Sequence, residues 1–218
     1  IRKYRLTQTV ADVCHAKALD AQGVPIRVQI KVDTGLHRLG VCASNDDELA
    51  EIFSCRNLQV VGVYSHLAVS DSLAEEDRAY TQIQIGRFNR MLERLSEKGL
   101  SPGLRHIQAS YGLLNYPHLQ YDVVRAGIAL YGVLSERGRV AAEVDLRPAL
   151  SVRARVAAVK RIRAGECVGY GKAFSAPDER SVAAVTIGYA DGIPRSLNGG
   201  SVLIRSRRAP IIGRICMD

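Results

Sequence analysis

The sequence predicts an α/β fold of the (β/α) barrel type over residues 1–138 and an all-β domain over residues 139–218. Three observations carry this. Strand-like apolar patterns alternate with helical ones through the first 135 residues or so, which implies βα units around a parallel sheet. Each apolar strand runs into polar residues at its C-terminal end, where (β/α) barrels carry their chemistry. After about Gly138 the texture changes to strand-like runs broken by Gly and Pro, with no good amphipathic helix, and residues 138–147 are the expected linker.

The elements follow in order. Ile26, Val28, Ile30 and Val32 alternate with Arg27, Gln29, Lys31 and Asp33, the period of a half-buried strand. Asn45-Asp46-Asp47-Glu48 opens a short helix, and Leu58 to Tyr64 is a second apolar strand halted by Ser65-His66. Ser72 and Glu75 have the spacing of a capping box. From there Tyr80, Ile83, Phe88, Met91, Leu92 and Leu95 give one apolar helical face up to Gly99. Leu104 to Ala109 and Asp122 to Ala126 are further short strands. In the second part Leu150 to Ile162, Val182 to Ile187, Ser201 to Arg205 and Ala209 to Ile212 are strand-like, with Arg205-Ser206-Arg207-Arg208 on a solvated turn.

Composition narrows the function classes. The 218 residues are 47% hydrophobic and 24% charged, as in a globular protein with a core, which excludes intrinsic disorder. No apolar run approaches the roughly 18 residues of a membrane span, and the start resembles no signal peptide. The net charge of +8 raises a nucleic-acid reading, but its 24 Arg and 6 Lys are spread along the chain and interleaved with acids. With no Trp, three Phe and no known nucleic-acid motif, no nucleic-acid partner is expected. The five scattered cysteines suggest neither disulfides nor a zinc site, and point to a reducing, cytoplasmic setting.

The strand-end motifs are more specific. Lys31-Val32-Asp33-Thr34-Gly35 continues to Arg38; His66 follows the second strand; HIQASYGLLNYP spans 106–117 and VRAGIALYGV spans 124–133. VGYGKAF, IGYADGIPR and GRICMD follow between 168 and 218. Arg125, ahead of Gly127, can point a guanidinium at a planar ligand while backbone N–H groups meet a phosphate. Taken alone, Arg125 reads more readily as a surface residue before a flexible Gly, Ser110 as a turn residue, and His66 or His106 as a structural hydrogen-bonding side chain. Tyr170 alone reads as a strand Tyr beside two turn glycines.

In this order and spacing the segments resemble the fold-type III pyridoxal-phosphate-dependent alanine racemases. The resemblance implies a partial TIM-type (β/α)8 barrel, a partial C-terminal β domain, and a head-to-tail homodimer with shared active sites. It implies pyridoxal 5'-phosphate as cofactor, with Arg125 on the pyridine nitrogen, Ser110, Gly127 and Ile128 on the phosphate, and His66 and His106 lining the cofactor face. It makes Tyr170 a catalytic base acting in the partner's site; an ordinary Tyr titrates at about 10, so that role needs positive charge or His beside it. Arg38 matches the residue that binds the substrate carboxylate, and Met217 one whose backbone contacts substrate. Lys31 matches a lysine that is carbamylated in many members and holds Arg38. Tyr189, Arg195 and Arg214, joined by Asp71 of the other chain, match the substrate entry corridor. No metal site is implied.

One departure is Ala109, where many members carry Asn before the phosphate-binding Ser. The segment holding the cofactor-linked lysine is not matched by any of the six lysines, so an internal fragment, inactive as written, is expected, from a parent that racemises L-alanine to D-alanine for peptidoglycan by a two-base mechanism. Two alternatives stand beside this. SYGLLNYP and Ala109 also resemble the serine or serine/alanine racemases of vancomycin-resistance operons, which would be attached to the membrane through an upstream domain. A non-catalytic pyridoxal-phosphate-binding barrel protein is the alternative of another class.

Overall fold

The computed structural model of the chain describes residues 1–135 and 140–218. It divides into two compact units, Ile1–Leu150 and Ser151–Asp218. The boundary expected at 138/139 falls outside the described residues.

In the first unit, β1 (Gln8–Val10), α1 (Val13–Asp20), β2 (Ile26–Asp33), β3 (Val41–Cys42), α2 (Asp46–Phe53), β4 (Leu58–Tyr64), α3 (Glu75–Glu97), β5 (Leu104–His106) and α4 (Ser110–Asn115) follow one another. The sheet order is β1-β2-β4-β5, every pairing is parallel, and β3 pairs with the end of β2. Parallel strands laid down in chain order, each after a helix, wind in one direction only. That is the topology of a (β/α) barrel, whereas a doubly wound sheet reverses its order at a switch point.

The alternation in β2 sets the two faces. Ile26, Val28, Ile30 and Val32 are at most 5% exposed and share one apolar core with Leu49, Ile52, Ile85, Phe88, Met91 and Leu95. The intervening Gln29 and Lys31 therefore lie on the other face, the inner one of a barrel. Asn45 caps α2, its side chain accepting from the Glu48 N–H.

The structure corrects three expectations in this unit. Helix α3 starts at Glu75, and its N-cap, Ala74, has no side-chain bond; Ser72 Oγ accepts from Ala74 N–H at 3.2 Å instead. Glu75, Glu76 and Asp77 complement the helix N-terminus in place of a capping box. The buried face runs through Thr81, Gln84, Ile85, Phe88, Met91 and Leu95, while Ile83 is 47% exposed. The first turns of α3 are held by polar anchors, Tyr80 and Gln84, so apolar spacing misplaces the face there. Asp122 to Ala126 is no strand. Its backbone N–H groups reach β5 and its extension at two points, Asp122 N–H to the Arg105 carbonyl and Arg125 N–H to the Gln108 carbonyl, with one isolated bridge, Ala109 to Arg125, and no continuous ladder.

At the end of α3 the chain reverses at Gly99, whose φ of +68° suits a residue without Cβ, and Leu100 N–H returns to the Leu95 carbonyl. Helix α4 lies in HIQASYGLLNYP, a segment with no periodic apolar face. Gln108 turns back to bond the Gly112 and Tyr116 carbonyls, fixing this short helix to the end of the strand.

The second unit consists of antiparallel pairs: β6 (Val156–Ile162) with β9 (Arg180–Val185), β7 (Cys167–Val168) with β8 (Phe174–Ser175), and β10 (Ser201–Ile204) with β11 (Arg207–Pro210). Residues 150–155 were expected in the first of these strands, but pairing begins where β9 ends, at Val156 opposite Val185. Arg205 and Ser206 form the solvated turn, at φ +49° and +66°, while Arg207 and Arg208 belong to β11.

Candidate functional site

The site-bearing side chains of the first unit sit where its strands end. Lys31 and Asp33 close β2. Asp33 Oδ1 accepts the backbone N–H groups of Gly35, Leu36 and His37 at 2.9, 3.0 and 3.1 Å. Burial pushes its carboxyl up, but these donors and His37 outweigh it, and the pKa falls below the ordinary value. From α3, Tyr80 OH donates to the Gly35 carbonyl at 2.7 Å and Arg87 to the Thr34 carbonyl at 3.0 Å. A Cβ on Gly35 would lie 2.8 Å from that Tyr80 oxygen, so the close approach requires glycine. The loop so fixed presents Arg38, which is exposed.

Strand β4 ends in Tyr64, opposite His106 of β5, and the two rings stack at 4.9 Å and 3°. Arg125 lies with its guanidinium carbon 5.1 Å from the Tyr64 ring centroid, and Lys31 Nζ lies 5.6 Å from it. Arg125 donates from Nη1 to His106 Nδ1, and from Nη2 to the Ser65 carbonyl (2.7 Å), His66 Nδ1 (3.1 Å) and the Ile107 carbonyl (3.3 Å). A guanidinium only donates, so both histidines accept at Nδ1 and carry their proton on Nε2. Among the described residues all of Arg125's hydrogen bonds use Nη1 and Nη2, which leaves the Nε–H for a ligand.

The electrostatics follow from burial among like charges. Burial first, then the Arg125 charge, lowers His106 to about 4 against a small opposing effect of Asp122. His66 is lowered by burial, then by Arg125, Arg38 and Lys31. Lys31 is 6% exposed and donates to the Val32 carbonyl at 2.8 Å. Burial lowers it to about 8, Arg125 and Arg38 add to the fall, and Asp33 opposes it. The cluster thus sets a permanent cation, Arg125, against two neutral imidazoles, with Lys31 a second, more weakly held cation at neutral pH.

Beside it lies an open cavity of about 290 Å³ whose lining includes His66, Asp71, Ser110, Gly127 and Ile128. Ser110 Oγ accepts the N–H groups of Gly127 (2.8 Å) and Ala129 (3.2 Å). These begin the 3₁₀ turn Ile128–Tyr131, while Ser110 begins α4, and neither N-terminus has a side-chain cap. The Ser110 hydroxyl and the backbone amides that converge on it stand at one cavity wall, donors that an anion could engage in place of the Ser110 oxygen. Among the described residues no group of three or more His, Cys, Asp or Glu is placed to hold a metal ion.

In the second unit Tyr170 is 73% exposed, between Gly169 (φ +78°) and Gly171 (φ +70°) in the turn joining β7 to β8. The Arg214 guanidinium packs over Gly171, where a Cβ would meet it at 3.5 Å. Tyr189 N–H donates to the Cys216 carbonyl and Ala190 N–H to the Met217 carbonyl, at 2.9 and 3.0 Å. Arg195 lies 6.0 Å from the Tyr189 ring centroid.

Of the residues singled out in the sequence, the structure therefore gathers Lys31, His66, His106 and Arg125 in one cluster and His66, Asp71, Ser110, Gly127 and Ile128 around one cavity. Tyr170 lies near Arg214, and Tyr189, Arg195 and Met217 share a second assembly. Arg38 reaches Lys31 and His66 only through its charge. The sequence did not single out Tyr64, Gln29 and Gln84. Tyr64 stands directly before Ser65-His66, and Gln29 falls on the face of Lys31 by the same alternation, so both were accessible to a strand-end argument. Gln84, a fully buried helix glutamine, left no such signal.

Residues 1–135 match the family model for the alanine racemase N-terminal domain, and residues 149–218 that for the alanine racemase C-terminal domain. A serine/alanine racemase of Enterococcus gallinarum is 42% identical over all of this chain, which covers 32% of it. An alanine racemase of Desulforamulus reducens is 36% identical over 99% of the chain, which covers 60% of it. The crystal structure of alanine racemase from E. faecalis superposes with a TM-score of 0.88 at 32% identity, over 99% of this chain and 58% of that one. The chain thus spans about a third to three fifths of the length of these proteins. With both domain models matched in order and the barrel topology shared, the chain belongs to the alanine racemase family.

Proposed function

We propose that the protein carrying this chain racemises alanine with pyridoxal 5'-phosphate, as a homodimer in the cytoplasm that supplies D-alanine for peptidoglycan. The uncommitted Nε–H of Arg125, whose guanidinium bonds the cavity-lining His66, carries this reading together with the Ser110 cavity. The donor set fits the group: Ser110 and the amides of Gly127 and Ile128 would hold a phosphate, and Arg125 would face a pyridine nitrogen. When bound, the cofactor supplies an electron-withdrawing ring that acidifies the Cα–H of an attached amino acid.

The chain's own residues shape that chemistry. Arg125 does not release its proton, so a ring nitrogen facing it stays unprotonated, which restrains side reactions such as transamination. His66 and His106, held neutral, keep Arg125 aimed without competing for anionic groups. Tyr170 would move the proton at Cα in the partner subunit's site, with Arg214 of its own chain supplying positive charge near it. Arg38 would bind the substrate carboxylate, Met217 would contact the substrate through its backbone, and Tyr189, Arg195 and Arg214, joined by Asp71 of the other chain, would frame substrate entry. Lys31, lowered to about 8 by burial, has an enlarged neutral fraction at physiological pH. The neutral amine is the form that adds carbon dioxide, releasing a proton, to give the carbamate that would hold Arg38. The second, β-rich unit favours an enzyme over a binding barrel alone.

Serine is the second substrate to test, because a serine/alanine racemase is among the 42% identical relatives. The test is chiral analysis of product from the complete protein given the cofactor and either L-alanine or L-serine. D-alanine is expected, with Tyr170→Phe losing about 10²–10⁴-fold in rate while cofactor binding survives. Failure to form either D-amino acid, or undiminished turnover by Tyr170→Phe, would overturn the reading.

A further inference from the structure

Gln29 lies on the polar face of β2, and its Oε1 is 3.0 Å from His106 Nε2. Arg125 donates to the other ring nitrogen, so Nε2 must bear the proton and Gln29 must receive it. The amide can face the ring only through its oxygen. Were its NH₂ turned inward, Nε2 would have to accept, and the proton displaced to Nδ1 would confront Arg125, a donor against a donor.

From this geometry we infer that Gln29 is a positioning residue: a neutral acceptor that fixes the orientation and tautomer of His106 without drawing a charge onto it, and thereby holds Arg125. The neutrality is the essential property. A glutamate at 29 would accept the same hydrogen bond, but its negative charge would draw a second proton onto the ring. An imidazolium has no acceptor at Nδ1, and its charge would repel the guanidinium. The other groups facing His106 do not substitute for Gln29. Tyr64 stacks on the ring from β4 and bonds Thr9 through its hydroxyl, Lys31 lies near the same Tyr64 ring, and Asp122 is engaged by Arg105. The inference rests on the proposed cofactor site only for its consequence, since charge and tautomer are properties of the protein itself.

The test is nitrogen-15 NMR of histidine-labelled complete protein, without and then with pyridoxal 5'-phosphate. In the wild type His106 is expected to carry its proton on Nε2 and to stay neutral through physiological pH. In Gln29→Glu its proton affinity is expected to rise at least about tenfold, one pH unit. In Gln29→Met the ring is expected to stay neutral but lose its fixed orientation, and cofactor affinity to fall about three- to tenfold, the effect of one hydrogen bond. A wild-type His106 protonated on Nδ1, or an unchanged titration in folded Gln29→Glu, overturns the inference. The wild-type measurement decides even if a variant does not fold. If the wild type fails to bind the cofactor while the histidine results hold, the proposed function falls and the role of Gln29 stands.

Discussion

Replacing Gln84 by methionine should loosen the site from behind. Gln84 is fully buried on α3, yet its side chain holds the chain after β2 and after β4 together. Its Oε1 accepts Ala68 N–H at 2.8 Å, and its Nε2 donates to Thr34 Oγ1 and the His66 carbonyl, both at 3.3 Å. Methionine fills a similar volume but strands the Ala68 amide and the His66 carbonyl. Thr34 keeps its 2.8 Å bond to Ser65 Oγ. Two stranded groups cost about 1–3 kcal/mol each, and apolar burial and partial hydration return some of that, for a net loss of about 2–3 kcal/mol. At about 2–4 °C per kcal/mol for a chain of this size, the melting temperature should fall by roughly 5–10 °C. Thermal melting gives the global effect, and amide hydrogen exchange at Ala68 gives the local one, which should lose protection. The exposed neighbour Gln82 is the control, with Gln82→Met expected within about 0.5 kcal/mol of wild type. A Gln84→Met protein as stable as the control, with Ala68 still protected, would refute the reasoning.

Lys31 should make stability rise with pH. Its folded pKa of about 8 lies below the ordinary 10.5, so between these values the unfolded chain holds a proton that the folded chain lacks. The full cost of the buried cation applies below about 8 and is relieved toward 10.5, a gain on the order of 3 kcal/mol. Denaturant unfolding in carbon-dioxide-free buffer should show this rise, and Lys31→Met should abolish it; a flat wild-type profile would contradict it. Gly188→Ala should disrupt the Tyr189–Met217 assembly, because its Cβ would fall within van der Waals contact of the Cys216 and Met217 backbone, which cannot swing aside. A loss above about 3 kcal/mol is expected from the clash, and a neutral effect would show that this loop is not packed as described.

Much of the barrel was legible because burial imposes a period. In β2 apolar alternation gives the strand and its faces, in β4 an apolar run gives the strand, and the polar residues that end them mark the site. The misplaced features share a cause. The face of α3 fails at Ile83 because Tyr80 and Gln84 anchor the helix by hydrogen bonds that apolar spacing does not register. Asp122 to Ala126 and residues 150–155 have strand composition, but a strand exists only where a partner pairs with it. At the site, Arg125 and Ser110 stood out through their place in an ordered set of motifs, since neither residue alone distinguishes a ligand contact from a turn. Tyr64, which stacks on His106 beneath the charge of Arg125, was one position before a motif and read as the end of an apolar strand.

The role of Arg125 is tested most directly by nitrogen-15 NMR of pyridine-labelled pyridoxal 5'-phosphate bound to the complete protein. An unprotonated ring nitrogen is expected at neutral pH, because Arg125, proposed to face it, donates a hydrogen bond and does not give up its proton. In Arg125→Glu, a carboxylate there should favour the protonated nitrogen. A wild-type cofactor bound as the pyridinium, or one whose nitrogen does not respond to Arg125→Glu, would contradict the placement of Arg125 at the centre of the site.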